Sequence, residues 1–367
     1  MKTTVAMVDQ QGGDFSLEEV DLDGPRDDEI LVRIVATGLC HTDIHLKGAL
    51  PEATFPRVLG HEGAGVVEAV GAGVEDVEAG DHVVLSFRSC RACQDCANGM
   101  VGYCGAAPLL NYMGMRMDGS TTYSRGGSPV FGNFFGQSSL SMHAIAYADN
   151  CVVVDKSVDL TKVAPYGCGF QTGAGTVLNV LKPGPADSLV VYGVGAVGLA
   201  AFAAAKHLRV GTMVAVDPLQ SRREAAARYG AIGVDPTALD NTDDVVAKVK
   251  ELTGGGANYA IDTTAIAPVV KQAQLSLRSR GTLIALGLGA EEYTVDALDL
   301  LQTGKIISST IEGDSDPQEM VPRLIELNAS GEFDVDDLIA TYPFSEINTA
   351  VADVLAGKVV KPVFVWS

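Results

Sequence analysis

Basic side chains are scarce in this 367-residue chain: 26 Lys and Arg stand against 46 Asp and Glu, a net charge of −20. A field of that sign repels polyanions, so nucleic acid and anionic membrane are poor partners. The acidic residues are spread along the chain rather than gathered in a tail, which reads as solubility. The opening segment MKTTVAMVDQ lacks the long apolar core of an export signal and meets Asp9 early, so a cytoplasmic location is expected. Internal repeats and low-complexity linkers are absent. One uncharged stretch, Ser188 to Ala205, approaches membrane-spanning length. Gly193, Gly195 and Gly198 interrupt it where a strand turns into a helix, so it reads as buried strand, turn and helix.

What is present is globular. Hydrophobic residues make up 47% and charged residues 20% of a chain long enough for two cores. From Ser188 onward, apolar β-type runs (Leu189–Tyr192, Met213–Val216, near Ile232, Tyr259–Asp262, Thr282–Leu286, Ile306–Thr310) alternate with helical patterns (Val197–Leu208, Arg222–Tyr229, Val245–Leu252, Pro268–Leu277). That alternation predicts a doubly wound parallel sheet with crossover helices, an α/β fold. Before about residue 150, short runs such as Ile30–Val35, Gly65–Val70 and His82–Leu85 predict an irregular, largely antiparallel β domain. The tail from Glu312, ending in a strand at Val359–Trp366, is expected to return to it.

Seven cysteines in a chain without an export signal are metal ligands or reactive thiols before they are disulfides. Cys90, Cys93, Cys96 and Cys104 form C-x2-C-x2-C-x7-C in one loop, and four thiolates so close in sequence can close a tetrahedral shell around zinc. A disulfide knot or an iron–sulfur site is the competing reading. A full shell makes this a structural zinc. Cys40 in GLCHTD, His61 in GHEGAG and Cys168 in YGCGFQTG form a scattered second set. Singly each is more often a buried thiol or a core histidine, but three such ligands leave the open position a catalytic zinc needs. Cys151, in the apolar run CVVV, reads as an inert core thiol.

Gly193, Gly195 and Gly198 form the G-x-G-x-x-G turn between an apolar strand and a helix, and Asp217 ends the next strand about twenty residues on. The glycines let main-chain amides approach a pyrophosphate at a helix N-terminus. Asp217 can accept from an adenosine ribose and repels a 2′-phosphate, which favours NAD over NADP.

GHEGAGVVEAVG, the four-cysteine loop, GCGFQTG and GVGAVG together resemble the zinc-containing medium-chain alcohol dehydrogenases over nearly the whole chain, and the bacterial aryl-alcohol (benzyl-alcohol) dehydrogenases within them. The resemblance implies a GroES-like catalytic domain, residues 1–169 and 312–367, and a Rossmann NAD-binding domain, residues 170–311. It implies two zinc ions per chain: a catalytic one on Cys40, His61 and Cys168, with Glu62 beside the metal and Asp43 orienting His61, and a structural one on Cys90, Cys93, Cys96 and Cys104. Thr42 falls where the family takes the alcohol proton and His45 at the outer end of that relay. His41 and Lys361 match positions near the pyrophosphate, Thr172 and Val197 positions against the nicotinamide, and Arg222 a basic residue near the ribose.

The resemblance places Phe134, Phe135 and Leu286 at positions that line the substrate channel in relatives, with core packing as the competing reading, and Ser86 where relatives often carry a large aromatic, which implies room for a bulky alcohol. The expected reaction is hydride transfer from a primary alcohol on an aromatic or allylic carbon to NAD, giving the aldehyde, in a homodimer or homotetramer. Two rivals stand beside it. The thiol-adduct formaldehyde dehydrogenase branch uses acidic and basic residues where this chain has Pro51 and Pro108. A non-catalytic zinc interaction module leaves the glycine turn without a purpose.

Overall fold

The computed structural model describes residues 1–366, in two compact units. The first comprises Met1–Gly169, Ser315–Glu326 and the chain from Asp336 onward; the second is Phe170–Asp314 with Leu327–Val335.

The first unit is built on two sheets. One is antiparallel, in the order Arg57–Val58, Lys2–Val8, Phe15–Leu22, Tyr123–Arg125, Ser128–Val130. The other runs Cys151–Val154, His82–Leu85, Gly63–Val70, Glu29–Gly38, Lys361–Val365, Ile339–Pro343, with His143–Tyr147 also paired to Glu29–Gly38. The strand Lys361–Val365 pairs antiparallel to Glu29–Gly38, so the end of the chain returns to the first domain as its apolar pattern predicts. A buried ion pair locks this unit: Arg116 binds both oxygens of Glu29 through Nε (2.5 Å) and Nη2 (2.9 Å), and Tyr147 donates to Glu29 Oε1 at 3.2 Å.

The second unit carries an all-parallel six-stranded sheet in the order Ile232–Val234, Thr212–Val216, Ser188–Tyr192, Ala257–Asp262, Leu277–Ala285, Ile306–Ser308. Counted within the unit this is 3-2-1-4-5-6, the Rossmann order, whose ligand crevice lies at the carboxyl ends of the strands where the order reverses. Ser188–Tyr192 is buried along its whole length, as a central parallel strand covered on both faces must be. The helix Ala196–His207 follows it and ends in Lys206 and His207, basic residues suited to its negative end. The uncharged stretch is therefore strand, turn and helix, and no helix among the described residues is long and apolar enough to cross a membrane.

Most element ends move by one to three residues from the sequence reading, and two differences are larger. The strand expected at Thr282–Leu286 begins at Leu277. Residues 312–314 and 327–335, assigned above to the catalytic domain, belong to the Rossmann unit. The cause is polar anchoring that no local pattern announces. The Glu312 carboxylate accepts from Thr172 Oγ1 (2.9 Å) and Gln171 Nε2 (3.2 Å), Tyr229 donates to Asp334 O (2.7 Å), and His207 meets Glu332 (2.7 Å).

Candidate active site

Cys40 sits at the N-cap of the helix His41–Ala49, and the Asp43 side chain folds back to accept its N–H at 3.1 Å. The other Asp43 oxygen accepts the Gly60 N–H and faces His61 Nδ1, both at 2.9 Å. Cys168 follows the turn Ala164–Gly167, whose last carbonyl accepts Ser86 Oγ at 2.6 Å. These local folds bring one ligand atom each from Cys40, His61, Glu62 and Cys168 within 4.8 Å of one another. Gln137, which sequence reasoning did not single out, fixes the His61 segment by donating to the carbonyls of His61 (3.1 Å) and Ser86 (3.0 Å) and accepting from Gly63 N–H.

His61 gives the fit test for a metal. Its Nε2 is buried with no hydrogen-bond partner, while Asp43 occupies Nδ1. A carboxylate on Nδ1 fixes the tautomer that leaves Nε2 a lone pair for an ion, with two thiols beside it. Charge agrees with geometry. Burial works against protonating His61, yet Asp43 and Cys40 outweigh it and push its pKa well up. The Cys168 hydrogen bond, with His61 and Lys361, holds Cys40 well below the ordinary thiol value against the effect of burial. Surroundings that favour positive charge on His61 also favour a cation beside Nε2.

Glu62 and Lys361 form a buried pair, with Nζ 2.7 Å from Oε1 and 2.6 Å from Oε2, and Nζ also donates to Leu39 O at 3.2 Å. Burial pushes the Glu62 carboxyl up, against the pull of Lys361. Lys361, matched above to a pyrophosphate position, thus has its ammonium on the carboxylate beside Cys40, His61 and Cys168.

The four loop cysteines form a second cluster, all free thiols, with Cys90–Cys96 and Cys93–Cys96 sulfurs 4.0 and 3.5 Å apart. Main-chain N–H groups point at the sulfurs: Cys90 N–H to Cys104 Sγ at 3.2 Å and Cys93 N–H to Cys90 Sγ at 3.3 Å. Such donors lower Cys90 and take Cys93 down to about 6, whereas burial pushes Cys96 up to about 12 and Cys104 up as well. Cys151 lies apart in the core, its thiol pushed up by burial.

Thr42 Oγ1 lies 3.6 Å from Cys40 Sγ, and His45 is half-buried three residues on along the same helix face. The Phe135 ring stacks on His61 at 4.7 Å between centroids, and Phe134 meets it edge-on at 5.6 Å. Phe135 is held at φ 51°, a strained conformation for an aromatic residue. Tyr112 meets Phe135 edge-on at 5.3 Å; its place in this cluster depends on a long-range fold that its sequence neighbourhood, PLLNYMG, does not announce. Ser86 is fully buried, its hydroxyl spent on the Gly167 carbonyl. Leu286 lies in the second unit, half-buried just past the strand Leu277–Ala285, its N–H on Asp262 O.

In the glycine turn the three glycines do different things. Gly193 has φ +80°, and a Cβ there would meet Thr263 Oγ1 at 2.6 Å. A Cβ on Gly198 would strike Gly193 O at 2.6 Å, so glycine lets the helix pack on the turn. A Cβ on Gly195 meets nothing within 4 Å: that face is open, at the N-cap of a helix with no side-chain cap. Those are the roles a pyrophosphate cradle demands. Asp217 accepts N–H from Val194 and Leu219, each at 2.8 Å. Arg222 is buried on the next helix, Gln220–Ala227, where burial lowers its pKa against the opposing charge of Asp217. Val197 is half-buried in the first turn of the helix after the glycines, Thr172 is bonded to Glu312, and His41 is exposed at the start of its own helix in the first unit.

The alcohol dehydrogenase GroES-like domain family matches residues 26–154, and the zinc-binding dehydrogenase family residues 196–330. A geraniol dehydrogenase of Castellaniella defragrans is 40% identical over 365 residues, 98% of this chain and 97% of that protein. An NDMA-dependent alcohol dehydrogenase of Amycolatopsis methanolica is 35% identical over the whole of both chains. The crystal structure of benzyl alcohol dehydrogenase from Acinetobacter calcoaceticus superposes with a TM-score of 0.95 at 37% identity, covering all of both chains. With its two ligand clusters, its Rossmann turn and such full-length relatives, the chain belongs to the zinc-type medium-chain alcohol dehydrogenase family.

Proposed function

We propose that the protein is a two-zinc, NAD-dependent dehydrogenase that reversibly oxidises primary alcohols on an aromatic or allylic carbon to aldehydes. The observation that carries this reading is the orphaned His61 Nε2 standing among Cys40 and Cys168 while Asp43 holds Nδ1. With the Glu62 carboxylate held by Lys361, Cys40, His61 and Cys168 leave a tetrahedral ion one open position whereas the four loop cysteines leave none, which supports a catalytic first cluster and a structural second. Zinc in the open cluster supplies a Lewis acid for the alcohol oxygen, and NAD supplies the hydride acceptor.

The chain's own residues do the remaining work. The Thr42 hydroxyl relays the alcohol proton, giving up its own as it accepts the alcohol's, and His45 takes the released proton to solvent, a role suited to an imidazole. Phe134 and Phe135 wall the metal ligand with aromatic surface, which buries a flat unsaturated group and excludes water. Unpaired N–H groups in the first turn of Ala196–His207 take the pyrophosphate, Asp217 takes the ribose hydroxyls, and Thr172, Val197 and Arg222 complete the contacts of that unit. Relatives named for geraniol and benzyl alcohol support the substrate class. The formaldehyde-adduct reading is weaker, because Pro51 and Pro108 offer no charge for its substrate. A cytoplasmic homodimer or homotetramer is part of the proposal.

The test is a panel of benzyl alcohol, geraniol and ethanol with NAD and with NADP, on protein of measured zinc content. Preference for the unsaturated alcohols with NAD supports the reading. Ethanol matching benzyl alcohol in kcat/KM removes the substrate class, and a preference for NADP removes the coenzyme assignment.

A further inference from the structure

Arg57 is fully buried, and its guanidinium goes to main chain rather than to a carboxylate. Nε donates to Thr54 O at 3.2 Å, Nη1 to Tyr112 O at 3.0 Å and Nη2 to Met113 O at 2.9 Å. The next residue, Gly114, has φ +73°, and a Cβ there would lie 2.6 Å from Nη2, so glycine is what lets the guanidinium in. The clamped segment follows the helix Ala107–Asn111 that leaves the four-cysteine loop. Asn111 ties that helix back to Arg88, accepting its N–H at 2.9 Å and donating to its carbonyl at 3.0 Å.

Held in this way, the Tyr112 ring stands edge-on to Phe135 at 5.3 Å and tilted to Phe134 at 6.4 Å, and these two rings pack on His61. Phe134 is wholly buried and Phe135 nearly so, whereas Tyr112 is 40% exposed, so it is the outer member of the cluster. Ring edges carry partial positive charge and ring faces negative charge, so such a corner favours a flat π-system over an alkyl chain of equal size.

We propose that Tyr112 is a specificity-determining side chain for planar unsaturated alcohols, and that Arg57 is its positioning residue. This rests on the open cluster at His61 being catalytic. It assigns the selectivity to a side chain that follows the four-cysteine loop in sequence and meets His61 only through Phe134 and Phe135.

The experiment compares Tyr112→Ala, Tyr112→Phe, Arg57→Met and the double variant Arg57→Met/Tyr112→Ala in the zinc-loaded enzyme. Steady-state kinetics are read with benzyl alcohol and with 1-butanol, and calorimetry reads the Kd of benzamide, a ring compound that does not react. Tyr112→Ala is expected to lower kcat/KM for benzyl alcohol about three- to tenfold, the size of one aromatic pair, through KM rather than kcat. The benzamide Kd should rise in proportion, 1-butanol should stay within about twofold, and Tyr112→Phe should keep the ring preference. Arg57→Met should reproduce the selectivity loss, and the double variant should lose no more than Tyr112→Ala alone, because both changes act through one ring. Equal losses for both alcohols, an unchanged benzamide Kd, or additive losses in the double variant overturn the proposal. A wild type without preference for benzyl alcohol defeats the substrate reading above, while the benzamide Kd of Tyr112→Ala still decides the role of Tyr112.

Discussion

The Asp43 carboxylate lies 2.9 Å from His61 Nδ1, and both side chains are wholly shielded from solvent. The same carboxylate also accepts from Cys40 and Gly60, so one side chain orients both Cys40 and His61, two of the proposed ligands. Asp43→Asn keeps the shape but removes the charge and makes one terminus a donor. Expected is a loss of about 10–100-fold in metal affinity at this cluster, read by chelator competition, with the four-cysteine cluster unaffected. Unchanged affinity would mean that Asp43 only caps its helix.

Asp217 has two claims on it. Its oxygens satisfy the N–H groups of Val194 and Leu219, and the proposal adds the coenzyme ribose. Asp217→Gly strands both donors and should cost about 1–3 kcal/mol of stability besides coenzyme grip. Asp217→Asn keeps one acceptor and strands only one of the two N–H groups: the Kd for NAD should rise and the gap to NADP narrow, with a smaller fall in the thermal midpoint than in Asp217→Gly. An NADP affinity left as poor as before would place 2′-phosphate discrimination elsewhere.

The Phe134 ring packs edge-on against His61 from a wholly buried position. Phe134 backs the Phe135 ring at 4.8 Å, and burying a substrate ring against the Phe135 side of this corner is worth ~1.5–3 kcal/mol, one to two powers of ten in kcat/KM if kept in the transition state. Phe134→Ala should therefore damage benzyl alcohol far more than ethanol. Matched losses would make Phe134 a core residue without a part in selection.

Stability of the first unit depends on the Arg116–Glu29 pair, in which Glu29 also takes the Tyr147 hydroxyl. Arg116→Met leaves a buried carboxylate uncompensated and should cost about 3–5 kcal/mol in chemical denaturation. A loss under about 1 kcal/mol would show water reaching Glu29 in solution.

The parts of the site legible in the sequence are those whose chemistry imposes a local spacing. Four cysteines close in sequence fold into one cluster, and glycines between strand and helix fold into an open turn, so the geometry of Cys90 to Cys104 and of Gly193 to Gly198 was legible. The parallel sheet was legible for the same reason, since strands buried on both faces, such as Ser188–Tyr192, are continuously apolar. Residues that act through long-range polar contacts left no such trace. Glu312 draws its segment into the Rossmann unit through Thr172 and Gln171, and Lys361 pairs with a carboxylate 299 positions away. Arg57 reaches main chain 55 and 56 residues on, and nothing in the string FPRVLGHE marks it as buried.

Zinc content and turnover of Cys168→Ala beside Cys93→Ala test most directly whether the open cluster is catalytic and the closed one structural. The wild type should hold two zinc ions per chain and each variant one. Cys168→Ala should keep its thermal midpoint while losing oxidation of benzyl alcohol with NAD, and Cys93→Ala should lose thermal stability and oligomer integrity. A single zinc that survives both substitutions, or wild-type turnover by Cys168→Ala, would contradict the assignment.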